Sequence, residues 1–184
     1  MSTRIPNQDR IAIMCTATTC LLVIALVTWA NSPPATVPTN LEPDSNEALA
    51  MTVAAKGVQI YECRNGKGGT GYEWVFVAPE AELFDARDRR VGRHGAGPSW
   101  EASDGSKIVG TVRERAEAPV ARAIPWLLLA ARSVGPEGVL SRVTSVQRVN
   151  TLGGVAPTSG CNGDTIGTMA RVAYTADYRF FAAR

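Results

Sequence analysis

The chain has few of the residues from which metal sites and hydrolytic centres are usually built. It contains 4 cysteines and 1 histidine among 184 residues. Cys63 and Cys161, the two cysteines beyond residue 46, lie far apart in the sequence, so they offer no local cluster of metal ligands. No serine or cysteine stands in a recognisable nucleophile-elbow motif. We therefore predict neither a metal nor a cofactor.

An excess of charge of one sign is also missing. Lys and Arg together number 19 and Asp and Glu 17, which gives a formal net charge of +2 at pH 7. Proteins that bind nucleic acid usually carry a clear surplus of basic residues on one face. The near balance of charges therefore predicts no nucleic-acid partner.

One long apolar run is present, at residues 11–30, and it contains no charged side chain. A helix of this length rises about 30 Å, which is the thickness of the hydrocarbon core of a bilayer. Arg4 and Arg10 precede the run and no basic residue follows closely, which predicts a cytoplasmic N-terminus and an exported remainder. Residues 1–30 are therefore interpreted as a single transmembrane anchor or as a cleaved signal peptide.

Both interpretations place the remaining chain in the periplasm or at the cell exterior. It would be tethered through residues 11–30 if the segment is retained, and secreted if the segment is cleaved. Residues 31–46 contain four prolines, and we expect an extended, solvated linker there because proline fixes φ and lacks an N–H. Residues 47–184 then form one domain. Since an exported compartment permits disulfides, Cys63 and Cys161 are predicted to pair, with two free buried thiols as the alternative.

The domain carries period-two patterns of apolar residues, which are typical of half-buried strands. Two such runs flank the glycine-rich stretch at 66–71, which predicts a β-hairpin. Residues 79–90 are the one stretch with helical spacing and are predicted to form a short helix or turn. The apolar run at 123–134 is interpreted as a strand rather than a short helix, and the irregular alternation at 139–151 predicts a β-bulge. Together the runs predict an all-β domain, either an antiparallel β-sandwich or a barrel.

Several phrases occur in a characteristic order along this domain. They are GVQIYEC at 57–63, WVFVAPEAELFD at 74–85, VGRHGAGPSWEASDGSKIVG at 91–110, IPWLLLAA at 124–131, VTSVQRVNTLGGVAP at 143–157 and YTADYRFF at 174–181. Together they span roughly residues 47–182 and resemble the DUF3455 family, a domain of unknown function found in exported bacterial and fungal proteins. The resemblance implies export, in agreement with the apolar run. It implies no catalytic residue, because the family has no established activity.

The glycine-rich stretch at 92–101 concentrates polar chemistry and aromatic surface. It contains His94, Trp100 and Glu101. We predict that it forms one wall of a ligand site, with the indole as a stacking surface and the histidine and the carboxylate as polar contacts. The ligand would be a carbohydrate or another small molecule. The alternative is an ordinary turn whose Trp100 fills the core.

Three functions remain open at this point. We favour a non-enzymatic envelope or surface protein that binds a ligand, because nothing in the sequence assembles a catalytic set. The second is a hydrolase in which His94 acts with Glu101 or Asp104 in general acid–base catalysis. The third is a structural or assembly protein of the cell envelope.

Overall fold

The alternating runs form eight antiparallel strands that close into a barrel. A computed structural model describes residues 36–184. Its strands are β1 (Glu47–Asn65), β2 (Tyr72–Phe84), β3 (Arg90–Gly95), β4 (Ser99–Ala102), β5 (Lys107–Ala116), β6 (Trp126–Ser133), β7 (Val143–Gly153) and β8 (Met169–Ala183). Each strand pairs with the next one along the chain, and β8 pairs with β1. The all-β prediction is confirmed, and of the two architectures left open the chain adopts the barrel.

Helix is confined to three short 3-10 turns in the described range, at Thr39–Leu41, Lys67–Gly69 and Gly163–Thr165. Within residues 36–184, no helix has the length and apolar character needed to cross a membrane. The segment predicted as an anchor or signal peptide, residues 11–30, lies outside the described residues, as do residues 31–35 of the predicted linker.

Several local predictions are confirmed. β1 and β2 form a hairpin around the glycine-rich loop, with Asn65 opposite Tyr72. The apolar run at 123–134 contains strand β6 rather than a helix. Strand β7 shifts register against β8 at two places, which confirms the predicted bulge. The hairpin and the bulge were predicted from side-chain alternation, the feature that a barrel wall requires, whereas the strand at 123–134 was predicted from a continuous apolar run.

Of the short helix or turn expected within residues 79–90, the structure shows the turn and no helix. The first part of this stretch continues β2, where Ala81 and Leu83 are buried and Glu82 between them is exposed. The turn follows, and the Asp85 carboxylate accepts hydrogen bonds from the backbone N–H groups of Arg87 and Arg89 at 2.9 and 3.0 Å. The charged residues on the solvent face of this strand have a spacing that also fits the polar face of a helix.

The first half of strand β6, residues 126–129, is buried on both faces, which explains why its sequence there is continuously apolar. Leu127 and Leu129 belong to the cluster that fills the barrel interior, whereas Trp126 and Leu128 belong to a second cluster outside it. The interior cluster continues through side chains from other strands and from the β6–β7 connection, including Val53, Leu83, Ile108, Leu140, Val146 and Phe180.

The outer cluster is covered by part of the segment predicted as a solvated linker. Leu41 is fully buried, packs with Trp126, and its carbonyl accepts a hydrogen bond from Gln147 Nε2 at 2.7 Å. Residues 37–41 therefore lie against β6 and β7 instead of extending into solvent. Proline content did not predict this packing, which is favourable because it buries the apolar Val37 and Leu41.

The predicted disulfide is present. Cys63 of β1 is bonded to Cys161, which lies in the β7–β8 connection, and the two cysteines are 98 residues apart. The connection is also held by backbone hydrogen bonds from Cys63 to Thr168 and from Gly167 to Cys63. The bridge thus fixes a long loop against the end of the β1–β2 hairpin.

Candidate functional site

A cavity of about 540 Å³ occupies part of the barrel interior. It reaches the end of the barrel at the β3–β4 turn and the β5–β6 connection, because Gly97, Pro98 and Pro125 line it. Most of its wall is aromatic or aliphatic, formed by Tyr61, Phe76, Ile124, Leu127, Leu129 and Tyr178. A concave, mainly apolar space of this size with a few polar groups is the usual form of a small-molecule site.

The register of the β3–β4 hairpin places His94 and Trp100 side by side in the wall of this cavity. The two residues are directly opposite each other, and both are buried, at 3% and 1% exposure. Their rings stack with centroids 4.7 Å apart and an interplanar angle of 16°. Tyr178 closes the group, with its ring centroid 4.9 Å from the imidazole and 5.4 Å from the indole.

Gly110 on the neighbouring strand makes room for the indole. A Cβ atom at this position would lie 2.9 Å from Cζ3 of Trp100 and 3.1 Å from Cδ2 of Leu129. Contacts this short between heavy atoms are repulsive, so a larger residue would displace the ring. The glycine in GTVRER is therefore part of the construction of the cavity wall.

The buried imidazole is held as the neutral tautomer with the proton on Nδ1. Nδ1 lies 2.8 Å from the Ser99 carbonyl oxygen, and a carbonyl can only accept, so Nδ1 donates. Burial lowers the pKa of His94 to about 4, an effect that the Ser99 carbonyl opposes and the positive charge of Arg148 reinforces. At neutral pH the ring is uncharged, and Nε2 carries a lone pair.

Glu101 lies on the opposite face of the strand from His94 and Trp100. Its carboxylate accepts from Arg93 at 2.8 Å and lies 3.7 Å from Lys107 Nζ, and these interactions hold its pKa below the usual range. Because successive residues of a strand point to opposite faces, Glu101 faces outward while its neighbour faces the cavity. The structure brings the histidine and the tryptophan together but not the glutamate.

Asp104 also has a local structural role. Its carboxylate accepts from the Ser106 hydroxyl at 2.6 Å and from the Val139 backbone N–H at 2.8 Å, and its pKa is lowered by these hydrogen bonds. It thereby ties the β4–β5 turn to the β6–β7 connection. The described hydrogen bonds include none from His94 to Glu101 or Asp104, so neither pair proposed for a hydrolase is assembled.

Two arginines, Arg115 and Arg148, also line the cavity, and no sequence pattern had predicted them. Nε and Nη2 of Arg148 donate to the Pro125 carbonyl at 3.1 and 2.8 Å, which holds the guanidinium at the cavity. The position of Arg148 within its strand could have predicted that it faces the barrel interior. Arg148 is two residues after Val146, which is in the interior cluster, and therefore shares its face of β7.

The tryptophans differ in their surroundings. Trp126 is 1% exposed, as expected for core. Trp74 is only half-buried and donates from Nε1 to the Ser159 carbonyl at 2.9 Å. Trp100, predicted as either a binding surface or a core plug, is buried in the interior cluster and also lines the cavity. The two roles predicted for Trp100, a binding surface and a core residue, are therefore compatible.

Metal-binding groups are not clustered in the part of the chain that the structure describes, where no set of three or more His, Cys, Asp or Glu side chains could hold an ion. The cavity wall contains neither Asp nor Glu. What the wall offers is an apolar surface, a neutral histidine, two guanidinium groups and the buried amide of Gln59.

Fold and cavity define the class as an antiparallel eight-stranded barrel with an interior pocket. The chain belongs to the family described as "Protein of unknown function (DUF3455)", whose sequence profile matches residues 43–182. This confirms the resemblance seen in the ordered phrases. No curated protein matches the chain. No solved structure matches it either.

Proposed function

We propose that this protein is a non-enzymatic binding protein that takes an apolar small molecule into the barrel. The observation that carries the proposal is the interior cavity, about 540 Å³ in volume and lined mainly by aromatic and aliphatic side chains. Sites of roughly 300–1,000 Å³ hold small organic molecules and bury most of their surface. The hydrophobic effect of that burial would supply most of the affinity.

The shape of the wall favours an apolar body over a carbohydrate. A sugar would need an open aromatic face for stacking, whereas one face of Trp100 is covered by the imidazole of His94. A sugar would also need many hydrogen-bonding partners for its hydroxyl groups. The wall instead presents Leu127, Leu129 and Phe76, which match hydrocarbon or aromatic surface.

Binding without catalysis is supported by the surroundings of the histidine. His94 is the only histidine in the chain, and its ring is fixed by Ser99, Trp100 and Tyr178. A general base is normally oriented by a carboxylate and placed beside a nucleophile. In the described residues the Glu101 and Asp104 carboxylates are engaged elsewhere, so the imidazole is better suited to shape the wall and accept one hydrogen bond.

We further propose that the barrel is held outside the cytoplasm, in the periplasm or at the cell exterior. The support is the apolar run at 11–30 with basic residues before it, together with the Cys63–Cys161 disulfide. Disulfides persist in oxidising compartments and are rare in the cytosol. Fusion of an export-dependent reporter after residue 45 should give activity. Activity of a cytoplasm-dependent reporter at the same position would contradict this placement.

Ligand binding is tested with the full chain in lipid nanodiscs, with empty nanodiscs as the blank. Four probes are used, two with an aromatic body and two with a linear hydrocarbon body. They are naphthalene-1-acetate, decanoate and the neutral amide of each. We expect isothermal titration calorimetry to show one site for at least one body shape. Val112→Trp, at the exposed edge of the cavity, should weaken that binding at least about tenfold by filling the space.

Leu152→Trp is the matched control, because Leu152 is an exposed aliphatic residue in a strand and does not line the cavity. It should leave the affinity unchanged. If none of the four probes binds, or if both tryptophan variants bind them equally well, the proposed function is wrong.

A further inference from the structure

The cavity contains positive charge that the described residues do not neutralise. Arg115 and Arg148 line it, and within residues 36–184 neither guanidinium has a carboxylate oxygen within 4.0 Å. On the outer surface, some arginines have such partners: Arg113 pairs with Asp44 and Arg93 with Glu101. The cavity wall includes no Asp or Glu.

The other polar groups of the wall do not offset this charge. His94 is uncharged at neutral pH, so the formal charge of the lining at pH 7 is that of the two arginines. Two further donors, Gln59 Nε2 and Trp100 Nε1, are buried and have no hydrogen-bond partner among the described residues. Partly buried charges and buried donors without partners are unfavourable, and a ligand that supplies negative charge and acceptors would relieve them.

Arg148 has the geometry to receive such a group. The Pro125 carbonyl occupies Nε and one N–H of Nη2, at 3.1 and 2.8 Å. The Tyr178 hydroxyl is a second hydrogen-bonding neighbour of Arg148, but a guanidinium has five N–H donors, so donors on Nη1 and Nη2 remain beyond these two partners. These two nitrogens form the end-on fork that matches both oxygens of a carboxylate.

We propose that the ligand is an apolar carboxylic acid whose carboxylate binds end-on to Arg148, with Arg115 adding attraction at the exposed edge of the cavity. This inference rests on the proposed function, since it names the ligand class of the same cavity. The hydrocarbon or aromatic body lies against Leu127, Leu129 and Tyr178. Selection of the acid comes from the fork, and most of the affinity comes from burial of the body.

The test compares each acid probe with its amide in the full chain in nanodiscs. Naphthalene-1-acetate should bind roughly 10- to 100-fold more tightly than naphthalene-1-acetamide, the difference expected for hydrogen bonds to a charged group. Arg148→Gln should abolish this preference by weakening the binding of the acid far more than that of the amide. Arg148→Lys, which keeps the charge without the fork, should retain only a part of it.

Arg132→Gln is the matched control, because Arg132 is an exposed arginine of β6 that does not line the cavity and has no ion pair in the described residues. It should leave the acid preference intact. Far-UV circular dichroism and retained binding of the amide to Arg148→Gln show that the variant is folded around its cavity.

Equal affinity for acid and amide in the unsubstituted protein overturns the inference and leaves the proposed function in place. An equal loss of both in Arg148→Gln also overturns it, because the arginine would then hold the end of the barrel together rather than recognise a charge. Absence of any binding that depends on the cavity removes the proposed function and the inference with it.

Discussion

Replacement of Trp100 by alanine is the sharpest test of how the cavity wall is built. The indole is 1% exposed, stacks on His94, and makes edge contacts with Tyr178 and Phe180 at centroid distances of 5.4 and 6.2 Å. Truncation of a buried Trp costs about 3–5 kcal/mol, including the loss of aromatic pairs. The space left by the ring joins an existing cavity that water can enter, which favours the lower part of this range.

We therefore expect Trp100→Ala to lower the free energy of unfolding by about 3–4 kcal/mol. Urea unfolding followed by far-UV circular dichroism measures this loss as a fall in the midpoint of more than roughly 1 M. Trp100→Phe keeps an aromatic ring beside His94 and should recover at least half of it. Trp74→Ala is the control, because Trp74 is only half-buried and makes one hydrogen bond, so its loss should be about 1–2 kcal/mol.

The reasoning fails if Trp100→Ala and Trp74→Ala cost the same. It also fails if Trp100→Ala loses less than about 1.5 kcal/mol, since the indole is fully buried and packs against the three rings of His94, Tyr178 and Phe180. Either result would mean that the ring is not fixed in the wall. The cavity would then have no defined shape at this point.

Three further predictions concern the same body. Replacement of Cys63 and Cys161 by serine should cost about 4–5 kcal/mol by the loop-entropy relation for a separation of 98 residues, measured against the unreduced parent by urea unfolding. His94 takes up a proton near pH 6.5 in the unfolded chain but only near pH 4 in the folded protein. The free energy of unfolding should therefore fall by about 3 kcal/mol as the pH falls through this window. His94→Gln should reduce the dependence of this free energy on pH between pH 7 and 5. Gly110→Ala should cost about 1–3 kcal/mol because its Cβ would meet the indole at 2.9 Å, whereas Gly95→Ala, whose nearest neighbouring atom is 3.9 Å away, should be close to neutral in the same assay.

Much of the barrel wall was predictable from the sequence because alternation is a local property. In β8 the residues Tyr174, Ala176, Tyr178 and Phe180 recur at every second position, and all four are buried. The pattern identifies a strand and its inner face without reference to the rest of the chain. Closure into a barrel was not predictable in the same way. It depends on the pairing of β1 with β8 across the whole domain, and a sandwich would show the same local pattern.

The candidate site was predicted in part. The spacing of His94 and Trp100 was recognised as a local concentration of chemistry, but their contact depends on register, which pairs them directly across a short turn. The same register places Glu101 on the outer face beside Arg93. Although Glu101 follows Trp100 in the sequence, the two side chains point to opposite faces because the side-chain period of a strand is two residues. Arg148 comes from a strand far along the chain, and no local motif marks it.

Arg148 is a charged residue on the inner face of strand β7. Along β7, Val146 and Val149 are fully buried in different clusters, one inside the barrel and one outside, and Arg148 between them lines the cavity. A barrel that served only as a stable scaffold would gain from an apolar side chain at such a position, since a partly buried guanidinium without a counter-ion is unfavourable. Its hydrogen bonds to the Pro125 carbonyl orient the group but leave its charge uncompensated. The proposed carboxylic acid ligand accounts for this position, and under that proposal the determinant of specificity lies on β7 rather than on the glycine-rich stretch around His94.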